Sequence, residues 1–326
     1  SFYKQTKIFE CIKIIALNKI INENKYKYIN LFDPDYETKE VIIEISKNKK
    51  IIFNSYNDKL SYDIHNNDLF RILRSLFNYF KFIFERKSMI FKPKNKLNYN
   101  YKTIFFDFFN YFDYPLLKKK KIYRSQYWNS FTDYLFKNKI PILWLHTYYK
   151  NSNIKKISDA NYYLLGANNK YQKHILLDSY LNLSIIIKTL YVYFKSFIFF
   201  ILTRNKKKLF HIKSVDLDLW YLLKNDFYDT FFGPDLIINT FYYFLYEKFL
   251  LNINIDTNSF YICENQSIEK TLIYNWNQLS KKNIYGIQNS TVRYWDLRYM
   301  EYQDKSLIDK KILMFFIVNI IKWPII

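Results

Sequence analysis

Residues 261–299 read YICENQSIEKTLIYNWNQLSKKNIYGIQNSTVRYWDLRY. The strand read over 259–263 ends in the polar break Glu264-Asn265-Gln266, and Ile268, Leu272, Trp276 and Leu279 then recur at helical spacing. Ser267 can cap that helix with its hydroxyl, and Glu269 suits the positive end of its dipole. Residues 283–287 form a second short run, closed by Gln288-Asn289-Ser290-Thr291, and Gly286 leaves room for close packing beneath the turn. The order strand, turn, helix, strand predicts a βαβ unit. A right-handed crossover brings Glu264 and Gln288 to one edge of a parallel sheet. In open α/β sheets that edge is where ligands bind. The amides of the first turn, at a helix N-terminus, offer a site to an anionic or hydroxyl-rich ligand.

The rest of the chain extends this pattern. Residues 103–109 read as a continuous apolar run, as in a strand buried on both faces, and end at the polar cluster 110–113. Residues 128–137 read as a helix and 140–145 as a strand ending at His146, with further helices over 220–227 and 236–249. Such alternation predicts an α/β fold, a Rossmann-like parallel sheet with helices on both faces. In the first ninety residues, 41–45 and 51–53 read as strands, and 92–102 as a loop. Leu69, Leu73, Leu76, Phe77 and Phe80 predict a helix over 69–84. The expected division is a β-rich and helical region over 1–100, the main domain over 101–300 and a stub over 301–326.

Composition narrows the function classes. The net charge of +21 raises nucleic acid or an anionic membrane as partners. However, the chain has 33 Tyr and 31 Phe against 3 Gly, and Ala only at 16, 160 and 167. Lys, Asn, Ile, Tyr and Phe have AT-rich codons, so base composition accounts for much of the lysine. No nucleic-acid motif accompanies the charge, and none is expected to bind. Cys11 and Cys263 are far apart, which fits a reducing cytoplasm, and an inert thiol is the expected state of Cys263. No signal-peptide pattern is expected at the N-terminus.

Residues 181–202 are long enough to span a bilayer, but Lys188 and Lys195 interrupt them on nearly one face, and a basic run follows at 204–208. Peripheral contact with anionic lipid and a core helix with a basic exit both fit. Residues 312–326 are too short for a transmembrane span.

The block CENQ…EK…W…GIQNSTVRYWDLRY resembles a family of bacterial surface-carbohydrate (O-antigen and capsule) biosynthesis proteins, glycosyltransferases of GT-B type with two Rossmann-like domains facing a cleft. Further blocks stand in family order: NYFD at 110–113, SQYW at 125–128, WLH at 144–146, HILLDSYL at 174–181, and 220–234. The resemblance covers residues 100–300 and implies an N-terminal-type GT-B domain. The implied reaction transfers sugar from a nucleotide-sugar donor to a lipid-linked glycan acceptor. No cofactor is implied, and the expected location is the cytoplasm, at the inner face of the membrane. Gln288-Asn289-Ser290-Thr291 departs from the family's Gln-His-Ser-Thr, and asparagine cannot carry a proton as histidine can. A donor-binding second domain is expected after WDLRY, and residues 301–326 are expected to be its truncated stub. A non-catalytic remnant, or a subunit that binds glycan or a partner, is the alternative.

The candidate residues follow from both readings. Glu264 is a catalytic or sugar-binding carboxylate, or else a capping acid for the next helix. His146 and Asp296 are further acid/base candidates. Asn265, Gln266, Gln288, Asn289, Ser290, Thr291 and Asp113 are candidate ligand contacts. Arg293 and Arg298 suit a phosphate or carboxylate through a bidentate fork, or an ion pair with Asp296. His174 and Asp178, four apart, read as a structural pair on one helix. No zinc spacing, P-loop or serine-hydrolase elbow is present, and no metal is expected.

Overall fold

The computed structural model describes residues 6–57, 68–90, 101, 103–203, 206–253, 258–264, 266–279 and 282–288. Along the chain run α1 (Thr6–Glu23), β1 (Tyr28–Phe32), α2 (Tyr36–Lys49), β2 (Ile52–Tyr56), α3 (Asp68–Glu85) and α4 (Lys87–Ile90). Next come β3 (Thr103–Phe109), α5 (Tyr114–Lys120), α6 (Asn129–Lys137), β4 (Ile142–Tyr148), α7 (Ile157–Ala167), β5 (Gln172–Leu176) and α8 (Leu183–Leu202). The remainder is β6 (His211–Ile212), β7 (Leu217–Asp218), α9 (Trp220–Phe232), α10 (Pro234–Leu250), β8 (Asn258–Cys263), α11 (Ser267–Leu279) and β9 (Ile284–Gln288).

Two compact units interleave along the chain instead of following one another: Ser1–Leu76 with Phe194–Leu236, and Phe77–Tyr193 with Ile237–Ile326. The smaller unit carries β1 and β2 as a parallel pair, whose Ile29, Leu31 and Phe53 pack on a core from α1, α2 and α9. Residues 41–45, expected as a strand, belong instead to α2. The Asp35 carboxylate accepts from the Thr38 N–H at 2.7 Å and starts the helix, whose spacing buries Val41, Ile42 and Ile45 together. The β-branched run misleads because tertiary burial overrides a weak local preference.

The larger unit is α/β, with a five-stranded parallel sheet of spatial order β5-β4-β3-β8-β9. By order in the chain this is third, second, first, fourth, fifth, the doubly wound pattern whose direction reverses beside the first strand. Alternation along β3 divides its side chains between the faces. Phe105 meets Trp128 and Phe131 of the α6 side, whereas Phe106 meets Tyr246 and Phe249 of α10 and Trp276 of α11. Helices therefore cover both faces.

Details of that unit refine the expectations. β4 continues two residues beyond His146, to Tyr148. His174 and Asp178 do not pair. His174 lies on β5 beside His146, whereas buried Asp178 accepts from Arg86 Nε at 2.6 Å. Gly286 stands opposite Tyr261, and a Cβ there would come within 2.5 Å of the Tyr261 hydroxyl. In α3 the expected apolar spacing does make a helix, but Leu69, Leu73, Phe77 and Phe80 are exposed, and Arg71, Ser75, Tyr79 and Ile83 face inward.

Glycine scarcity leaves a mark on helix ends. Left-handed residues after helices are usually glycine, yet Lys50 (φ 54°) and Lys139 (φ 58°) hold this conformation after α2 and α6. Each pays a steric penalty that glycine avoids. Lys50→Gly and Lys139→Gly, both at exposed positions, are expected to raise the unfolding free energy by ~0.5–1 kcal/mol each, read from urea denaturation.

Candidate functional site

The carboxyl edge of the sheet opens where its winding reverses. β3 and β8 pair only as far as Phe106 opposite Tyr261. Beyond that point β3 stays with β4 through Phe109 opposite Tyr148, and β8 stays with β9 through Cys263 opposite Gln288. Where the strands part lies a small crevice of about 230 Å³, open space included, lined by residues of β3, β4, β8, α10 and α11, among them Phe106, Asp107, Thr147, Tyr261 and Glu269. The chain leaves β3 at Asn110 and β8 at Glu264. Parting of neighbouring strands at such a switch point is what makes a binding crevice in this architecture.

The turn after β8 is held by its own side chains. Glu269, in the first turn of α11 and nearly buried, accepts the backbone N–H of Glu264 at 3.0 Å through Oε2. Gln266 Nε2 donates to Glu264 Oε2 at 2.6 Å, which orients that carboxylate. Ser267, expected as a helix cap, instead donates its hydroxyl to Asn239 Oδ1 at 3.0 Å. Glu264 and Gln266 come together with Glu269 and, across the β8–β9 pair, with exposed Gln288. Tyr149, just past β4, lies within electrostatic reach of Glu269 and Glu264, and its phenol is pushed up to about 12, chiefly by burial.

Other candidates lie elsewhere. Asp113 caps α5, accepting from the Leu116 N–H at 2.9 Å. His146 is fully buried in the sheet face that carries Phe109 and Trp144. Asn265, Asn289, Ser290, Thr291, Arg293, Asp296 and Arg298 fall outside the described residues. Among the described residues no group of three or more His, Cys, Asp or Glu is arranged to hold a metal ion.

Sequence reasoning missed two acids. Glu269 was assigned only to the helix dipole, although it lines the crevice. Asp107 was absorbed into an apolar strand, although an acid inside a buried run is itself a signal. Its side chain points to the face opposite the crevice, where the Tyr123 hydroxyl donates to Asp107 Oδ2 at 2.7 Å. His146 Nε2 and His174 Nδ1 meet at 3.1 Å beside them, and Tyr123 packs against both imidazoles. Burial raises the Asp107 carboxyl to about 7 and holds both imidazoles neutral, with His174 lowered to about 3.

No family model, curated protein or solved structure matches this chain.

The buried acid has a pH signature. Asp107 ionises near 3.8 when exposed but near 7 in the fold. Its contribution is therefore full below pH 3.8 and is lost as pH rises through 7, a loss of ~4 kcal/mol. The histidines act oppositely: their folded values lie below 6.5, so stability falls as pH drops below 6.5. Asp107→Asn, compared with wild type by chemical denaturation at pH 5 and 8.5, is expected to gain stability relative to wild type at the higher pH. An equal difference at both pH values would show that Asp107 does not titrate this way.

Proposed function

We propose that this chain is a cytoplasmic glycosyltransferase-like protein of surface-polysaccharide synthesis, taking a nucleotide-activated sugar and a glycan hydroxyl at the carboxyl edge of its parallel sheet. The observation that carries this reading is the parting of β3 and β8 after Phe106 and Tyr261, with Glu269 both lining the resulting crevice and bonding the Glu264 N–H in the turn after β8. The likeness of the CENQ and WDLRY blocks to the surface-carbohydrate family supports it from the sequence.

In this reading Glu264 receives the proton of the acceptor hydroxyl as the glycosidic bond forms, and Gln266 keeps the carboxylate oriented. The backbone amides opening α11, at the positive end of a 13-residue helix, favour the leaving nucleotide phosphate. Of Arg293 and Arg298, one is assigned to a phosphate and the other to an ion pair with Asp296, and Gln288 to a sugar hydroxyl. Glu269 is a positioning residue, because its bond to the Glu264 N–H sets the turn.

A binding subunit without turnover is the second reading. It is favoured by the way Glu264 and Glu269 already serve the turn through Gln266 and the Glu264 N–H. Release of free nucleotide from a panel of nucleotide sugars, with and without glycan acceptors, separates the two. Turnover is expected, falling by ~10²-fold or more in Glu264→Gln. Glycan binding without turnover of any donor would leave only the binding reading.

A further inference from the structure

We propose that the outer face formed in the larger unit by the second half of α3 (residues 77–85) and the first half of α8 (residues 183–193) docks on an anionic lipid surface, with these two segments lying in the plane of the membrane. Among the described residues α8 is the one helix long and apolar enough to cross a bilayer, with a third of its apolar window buried. Its sides differ. Ile185, Thr189 and Val192 are buried, whereas Leu183 and Ile187 are exposed, Ile187 by 66%. A helix with one face committed to a protein core and the other apolar and open suits an interface rather than a span.

α3 repeats the design beside it. The Tyr79 hydroxyl donates to the Ile186 carbonyl at 3.3 Å, and Arg86, just after α3, bonds Asp178, just before α8. The helices thus run side by side in opposite directions. Phe77, Phe80 and Phe84 are all more than half exposed and fall within about 60° of one another around α3. Because the two helices are antiparallel, their exposed stripes turn to the same side of the contact between Tyr79 and Ile186.

Charge selects the occupant. Lys81 and Lys188, both exposed, follow Phe80 and Ile187 by one residue, about 100° further round and away from the partner helix. The apolar strip is therefore bordered by an ammonium on each outer side. Lys188 rests its ammonium 5.8 Å from the Phe244 ring centroid, against the neighbouring α10. α8 contains no acid, and the acids of α3 stand at its ends, Asp68 and Glu85. Exposed apolar side chains bordered by long, flexible lysines match the acyl boundary and the phosphate layer of an anionic bilayer. A second copy of this chain would instead bring lysines towards lysines. The inference is independent of the reaction proposed above.

Flotation of the full chain with phosphatidylcholine vesicles, with and without phosphatidylglycerol, tests it. Recovery is expected only with the anionic vesicles. Binding should weaken ~10-fold in Phe80→Ser/Ile187→Ser and by a similar factor in Lys81→Glu/Lys188→Glu, with near-UV circular dichroism unchanged. The net charge of +21 can draw any basic face to anionic lipid. Wild-type binding by either variant, the serine variant above all, would therefore overturn the proposal. A concentration-dependent dimer with no vesicle recovery would overturn it as well, and would assign the face to a second copy.

Discussion

The parallel pairing of β3 with β4 on one edge and β8 on the other is the constraint on which the larger unit depends. A parallel neighbour cannot be reached by a tight turn, so each pairing requires a crossover, and right-handed crossovers determine which face each helix covers. With β3 first in the chain, winding out to β5 and back to β9 places α6 on one face and α10 and α11 on the other. The crevice follows from the same reversal. Two neighbours whose connections leave in opposite directions are free to part at their carboxyl ends, and β3 and β8 do so after Phe106 and Tyr261.

Around that strand the core is unusually aromatic, and it encloses polar groups that must be matched with one another. Asp107, Tyr123, His146 and His174 form one buried layer beside Trp144. Burial keeps both imidazoles neutral and holds the Asp107 carboxyl protonated up to about pH 7, because a charge in this layer costs desolvation energy. Arg86 and Asp178 take the other course and stay paired at 2.6 Å. A buried pair of this kind adds little net stability, but loss of one partner would strand the other charge in the core.

Much of the larger unit was legible because its signals are local. β3 was read with its observed bounds, and the βαβ unit was recovered to within a residue at each strand, since a short apolar run bounded by polar turns has few other readings. Residues 41–45 were misread because Val-Ile-Ile-Glu-Ile is compatible with both periodicities, and only packing on Leu217, Leu219 and Leu222 decides between them. Glu264 and Gln266 were read at a strand end, and they do stand in the turn between β8 and α11. Glu269 was undervalued because its bond runs back five residues, to a backbone group that no pattern of side chains reveals. His146 was taken for a strand end; two further residues of pairing put it inside the sheet.

What the sequence determined by itself is the alternation of strand and helix, the polar breaks at strand ends, and helical character in α3 and α8. These depend on neighbours a few residues apart and survive in any packing. Only the tertiary structure decided which side of those helices faces outward, where β3 and β8 separate, and that Asp107, Tyr123 and the two histidines share one buried layer. Such matters depend on contacts between residues far apart in the chain, such as Asp107 with Tyr123 and Tyr79 with Ile186. Apolar spacing states that a face exists; the rest of the fold determines what, if anything, covers it.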